Sequence, residues 1–441
     1  MKKDGAKLWF LLGLCSQLQI VASLSISEVV ILLVSPFLFL KNYHNMKKDG
    51  VLTYFNLSLL LVLGTIVSIL YNHTDSYFAI RGLATVWIIS SSIIVSHCLL
   101  RKDLTGFKWY LLGYALSGII CIFVFQKSVE ISAHASNTGN VAASDIMSGP
   151  IFWITRLSPF VLLLTKGWYL YTPIIFDICA TTFLASFALL TTVSGRSSAL
   201  GAIGFIVLLL IGGKTQQTMQ RIGKKFILFM FLGVLFLFAV KNGYSYMAVN
   251  GILGEEAQTK YEQQTKGGEG ILALLMGGRM EVFCGLFACI DQPIIGMGPW
   301  AEDRNGYVED YMAKYGTQED FERFLRIKAD HYSFRLIPAH SQIVGFWLWY
   351  GIAGLIFMLY SLFVIIRYIK KDCWVVPQWY GWIVCASPAI LWDMFFSPFQ
   401  DRIMFPMIIT ACLMARAIHR GSLEMPFYLI EEIGEQVKKR G

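Results

Sequence analysis

Four arginines, Arg81, Arg156, Arg196 and Arg402, sit in or at the edge of apolar stretches, and a fifth, Arg279, lies in a helix-like segment of a long polar stretch. A guanidinium stays charged at any relevant pH and grips a phosphate through two parallel N–H donors. Ionisable groups in apolar segments are costly and are functional candidates by default. Any one of these arginines could instead snorkel to a headgroup region or pair with Glu28, Asp393 or Asp401. Four or five on one side favour a shared anionic ligand: a phosphate or pyrophosphate at headgroup depth, carried on a lipid. His340 ends the long polar stretch. Its imidazole could take a proton from an attacking hydroxyl, or could position a ligand.

The elements that must hold these residues follow from composition. The chain has 441 residues, 56% of them apolar and 15% charged, with a mean hydropathy of +0.57. Soluble domains run near 45–50% apolar and about 25% charged. This excludes a disordered chain and argues against a soluble enzyme. A bilayer core of about 30 Å needs about 20 helical residues. Twelve runs can supply them: 8–24, 26–40, 51–71, 78–100, 108–126, 149–166, 171–193, 197–213, 225–241, 342–367, 375–396 and 401–418. A tight hairpin around Ser23–Ser27 separates the first two, and the start of the chain is taken as a retained span.

Positive charge sorts the loops. With the N-terminus in the cytoplasm, the inner segments hold 22 of the 37 Lys and Arg residues, and the short outer loop 72–77 holds none. Every short loop then obeys the positive-inside rule. The arginines named above fall on the outer side, where the rule depletes them. The net charge of +8 is therefore no sign of a nucleic-acid partner. The expected architecture is an all-α polytopic membrane protein with about twelve transmembrane helices. Residues 1–241 carry spans one to nine, 242–340 a large, mostly helical periplasmic loop domain, 341–418 the last three spans, and 419–441 a cytoplasmic tail. The loop 242–340 is mildly acidic, with fourteen Asp and Glu against nine Lys and Arg. The polar segment 128–148 is expected to be a second outer flap.

Three short signatures accompany the arginines: Ser194-Gly195-Arg196-Ser197-Ser198; Gly278-Arg279-Met280-Glu281 followed by Pro293-Ile294-Ile295-Gly296-Met297-Gly298; and Ala339-His340-Ser341 followed by Tyr350-Gly351-Ile352-Ala353-Gly354-Leu355. In this order, around a long outer loop, they resemble the bacterial O-antigen ligase and polymerase superfamily over roughly residues 190–360. That family usually has Asn after the loop histidine, where this chain has Ser341. The resemblance implies a periplasm-facing glycosyltransferase of the bacterial inner membrane, metal-independent and inverting. Its donor would be an undecaprenyl-pyrophosphate-linked glycan. Its acceptor would be the lipid A core for a ligase, or a second lipid-linked repeat for a polymerase. No cofactor is implied. Arg196, Arg279 and His340 are the catalytic positions carried over by motif. Arg81, Arg156 and Arg402 join Arg196 and Arg279 as pyrophosphate ligands on position and chemistry alone.

Residue chemistry is consistent with that assignment. The chain has no Asp-x-Asp pair to hold a cation, and preorganised arginines can stabilise a departing pyrophosphate in its place. Glu281 and Asp393 are secondary candidates, the first as a partner of Arg279 or a base, the second as an arginine partner. His331 is expected at the surface. The nine cysteines show no metal-ligand spacing and are expected to behave as small apolar residues. Trp300, Tyr307, Tyr311 and Tyr315 could stack on sugar faces or form a loop core. The competing reading is a non-enzymatic polysaccharide or lipid transporter or flippase. It predicts ionisable residues lining a path at the bilayer midplane, whereas the sequence places most of them near the outer face. Asp177, near an inner end, is the exception.

Overall fold

The computed structural model describes residues 2–123 (except 22, 23 and 105), 280–315, 335–372 and 401–424, with scattered positions in 246–252, 321–328 and 375–399. The proposed spans 149–166, 171–193, 197–213 and 225–241, most of 375–396, and the flap 128–148 lie outside them. The described residues are mostly helical: α1 (Lys2–Leu14), α2 (Ile26–Lys48), α3 (Leu52–Asn72), α4 (Ser76–Lys102), α5 (Phe107–Phe123), α6 (Met280–Asp291), α7 (Tyr307–Tyr315), α8 (Gln342–Arg367) and α9 (Met404–His419). Four are long and apolar enough to cross a membrane: α2, α3, α4, and α8 with its extension to Asp372. Apolar stripes such as Leu33, Phe37 and Leu40 on α2, and Leu63, Ile66 and Leu70 on α3, stand exposed. Water does not tolerate contiguous surface of that kind, whereas lipid does.

The start of the chain differs from expectation. The helix expected over 8–24 runs instead over Lys2–Leu14, about 20 Å long. Ser16 ends it by donating to the Gly13 carbonyl at 2.6 Å. A short antiparallel pair, β1 (Gln19–Val21) and β2 (Leu24–Ser25), then makes the expected hairpin. Ser25 and Glu28 form a reciprocal capping box that starts α2. Helices α1 and α5 pair through bare backbone. A Cβ at Gly13 would fall on the Tyr110 carbonyl, and one at Gly113 on the Phe10 carbonyl. Small residues permit such approaches between helices in lipid.

Helix α4 is the buried axis. Ser90 through Leu100 are all buried, and Ser35 of α2 reaches its Ser91 at 2.9 Å. The C-terminal ends of α2, α4, α8 and α9 gather basic residues: Lys47 and Lys48, Arg101 and Lys102, Arg367 with Lys370 and Lys371, and Arg416. Asp49, Asp103 and Asp372 are buried there. Asp49 meets His97 at 2.8 Å and Arg101 at 3.2 Å. Asp372 meets His419 at 2.5 Å and Arg367 at 3.6 Å. The opposite end holds Glu28, Asn72, Arg81 and Arg402, the first two joined to Arg402 and Gly296 respectively.

Helix α8 is not the single span expected over 342–367. It breaks at Gly351, whose φ of 62° and ψ of −149° belong to glycine alone. The bend is sharp. Gly354 lies against the Phe346 carbonyl, and the Phe346 ring stacks on Phe357 at 6.0 Å. Eleven residues of straight helix would separate those two rings by about 16 Å. The second half, Ile352–Asp372, is about 30 Å long and could span a bilayer unaided.

Candidate functional site

The break in α8 is built by the second and third sequence signatures acting together. In an unbroken helix the Ile352 N–H would donate to the Leu348 carbonyl. Here Ile352 donates to the Ile294 carbonyl at 3.0 Å, and Leu348 accepts from the Met297 N–H at 2.6 Å. One helical bond is exchanged for two bonds to the Pro293–Gly298 loop. The Trp347 Nε1–H donates to the Pro293 carbonyl at 2.9 Å, and the Asn72 amide of α3 donates to the Gly296 carbonyl at 2.8 Å. Irregular backbone at membrane depth is stable only when its polar groups are satisfied inside the protein in this way.

The loop delivers Trp300 onto the end of α4. Trp300, with φ of +50°, stacks on Trp349 at 4.7 Å and on Phe78 at 6.2 Å. The Arg81 guanidinium lies 4.3 Å above the Trp300 ring. A cation held in this way gains roughly 0.5–2 kcal/mol, more as water is excluded. Arg81 is half-buried and has a neutral hydrogen-bond partner, the Tyr77 hydroxyl one turn earlier. No carboxylate among the described residues comes within ion-pair distance of it. Tyr350 is 1% exposed, its hydroxyl has no hydrogen-bond partner, and both Arg81 and Arg402 lie within electrostatic reach of it.

Arg402 is differently placed. Its Nε meets Glu28 Oε1 at 2.8 Å and its Nη2 meets Oε2 at 3.2 Å, a two-pronged ion pair. Asp401 beside it accepts from the Ile403 and Met404 N–H groups at the start of α9. The structure thus supplies for Arg402 the carboxylate that its structural reading requires. His340 is half-buried and precedes Ser341, which caps α8 by accepting from the Val344 N–H at 3.2 Å. The Ser341 hydroxyl also donates to the Met394 carbonyl at 3.0 Å. This brings the histidine junction to the segment that carries Asp393. Asp393 is hydrogen-bonded to Ser397.

Arg156, Arg196, Arg279, His331 and the Glu281 side chain lie outside the described residues. Cys98, Cys284, Cys289 and Cys412 are buried, and Cys15 is partly buried. Among the described residues, no three His, Cys, Asp or Glu side chains are grouped as a metal centre would need.

A cleft of about 590 Å³ opens beside α6 and α7, lined by Phe287, Tyr307, Tyr311, Asp310 and Lys314. Tyr311 is buried and stacks on Phe283 at 6.3 Å, so it belongs to the local core. Tyr307 donates to Asp291 at 2.6 Å and accepts from Asn305 at 2.9 Å. Burial and that carboxylate push its hydroxyl up to about 12, so it remains a donor at any physiological pH.

Trp300 as a support for Arg81, the Trp349–Tyr350 pair and the buried Asp49–His97–Arg101 set are not among the residues expected at a site from the sequence. The aromatic residues flanking Gly298-Pro299 and Gly351 were the available signal. No family model, curated protein or solved structure matches this chain.

Proposed function

We propose that this chain is an inner-membrane glycosyltransferase of the O-antigen ligase or polymerase type. It takes a glycan from an undecaprenyl-pyrophosphate carrier and joins it to a sugar hydroxyl on the periplasmic side. The observation that carries this reading is Arg81. It is a half-buried guanidinium with no carboxylate partner among the described residues, fixed on an aromatic stack beside the Tyr350 hydroxyl, which has no hydrogen-bond partner among those residues either. It sits at the end of the bundle opposite the Lys and Arg clusters. A charge left uncompensated there matches a lipid-borne phosphate better than it matches topology or packing.

In the proposed reaction the acceptor hydroxyl oxygen attacks the anomeric carbon as that carbon's bond to the pyrophosphate oxygen breaks. The arginines stabilise the charge growing on the leaving pyrophosphate. Arg81 does so with Arg196 and Arg279, which enter from the motif resemblance. His340 takes the hydroxyl proton or positions the acceptor sugar. The twelve-span topology, with both termini cytoplasmic and residues 242–340 periplasmic, belongs to the same proposal. The alternation of the basic and Arg81-bearing ends supports it.

The test is glycan transfer from a lipid-pyrophosphate donor in proteoliposomes. Arg81→Ala, Arg196→Ala and Arg279→Ala should each lower transfer by about a hundredfold or more, as loss of a charge-stabilising donor does. Membrane insertion should be unchanged. Near-normal transfer in all three sinks the pyrophosphate clamp. In cells lacking the protein, full-length glycan stranded on its carrier marks a ligase, and single-repeat caps on lipid A mark a polymerase.

A further inference from the structure

Helix α6 has one apolar face that the protein leaves uncovered. Phe287, Ile290 and, just past its end, Ile294 are 41%, 59% and 72% exposed. Their spacing of three and four places them on one side. The opposite side, Cys284, Ala288 and Cys289, is buried. That buried side lies against the first half of α8. Gly285 abuts Val344 and the Pro338 carbonyl, and the Cys289 thiol reaches the Val344 carbonyl at 3.6 Å. The first half of α8 folds back on its second half at Gly351, so α6 lies alongside membrane-crossing structure.

The uncovered face is also continuous with a lipid-facing one. The Ile294 carbonyl is bonded to the Ile352 N–H at 3.0 Å. Ile352 begins a second stripe, Ile352, Ile356, Leu359 and Phe363, exposed along one face of the half of α8 that could span the bilayer. We propose that α6 is seated in the bilayer, with Phe287, Ile290 and Ile294 in contact with lipid acyl chains. The segment is then a membrane-embedded part of the long loop rather than part of a water-bathed domain. The backbone satisfaction at Met297 and Ile352 is what allows a loop to lie at that depth. This inference holds whatever reaction the chain performs.

The experiment uses the unmodified full-length chain in nanodiscs of phosphatidylethanolamine and phosphatidylglycerol. These are doped with a phosphatidylcholine that carries a diazirine in its acyl chain. After illumination, labelled peptides are mapped by mass spectrometry. The expected result is labelling within 287–294 comparable to that within 352–363, with none in 302–306. Labelling of 352–363 with 287–294 unlabelled overturns the proposal. It would mean that another segment, a second copy or water covers this face.

Discussion

At the scale of single residues, cost of burial separates the arginines. Arg402 is matched by Glu28 through two contacts, so removing either partner strands the other in a dry environment. Arg402→Ala should destabilise the protein by about 3 kcal/mol, read as a lower melting temperature, with Arg402→Ala/Glu28→Ala less harmful than the single change. Arg81 has no such partner, so Arg81→Lys should leave stability nearly unchanged. Transfer activity should nonetheless fall at least tenfold, because an ammonium cannot both lie flat on Trp300 and offer two parallel donors. Equal activity of Lys and Arg at this position would rule out geometric recognition. The Asp49–His97–Arg101 set is structural by the same measure. Asp49 and His97 side chains are fully buried against each other, and Asp49→Ala should lower stability by about 3 kcal/mol.

At the scale of elements, glycines determine which helices meet. Gly351→Ala forces a side chain into a conformation that only glycine adopts freely and onto the Ile294 carbonyl. It should cost at least about 1–3 kcal/mol. It should also release the Pro293–Gly298 loop, which limited proteolysis near Trp300 would report. The α1–α5 contact behaves similarly. Gly13→Leu or Gly113→Leu should unseat the first helix, whereas Leu8→Ala, at an exposed position, should be tolerated. Equal melting temperatures for Gly13→Leu and Leu8→Ala would show that the backbone contact contributes nothing.

At the scale of the whole molecule, the bundle has two chemically different ends. One carries Lys48, Arg101, Lys102, Lys370 and Lys371; the other carries Glu28, Asn72, Arg81 and Arg402. The proposed orientation predicts that alkaline phosphatase fused after residues 75 or 300 is active. The same fusions after 49, 103 or 372 should be inactive, since the enzyme folds only outside the cytoplasm. The opposite pattern would invert the molecule and remove the periplasmic site.

Hydropathy in the sequence alone determined that the chain is mostly helical, with helices long and apolar enough to cross a membrane. Period and length placed α3 and α4 within two residues of where they lie, because an apolar run of span length admits few other structures in lipid; α2 starts at Ile26 as expected but runs on to Lys48, past the expected end at 40. Which arginine is paired and which is left over was decided by tertiary structure. Glu28 and Arg402 are 374 positions apart, and nothing local joins them. The break at Gly351 was beyond the sequence for a related reason. Its flanks are uniformly apolar, and what interrupts them is a loop more than fifty residues earlier that supplies the replacement hydrogen bonds. The support for Arg81 comes from that same loop, which carries Trp300 to the ring of Trp349.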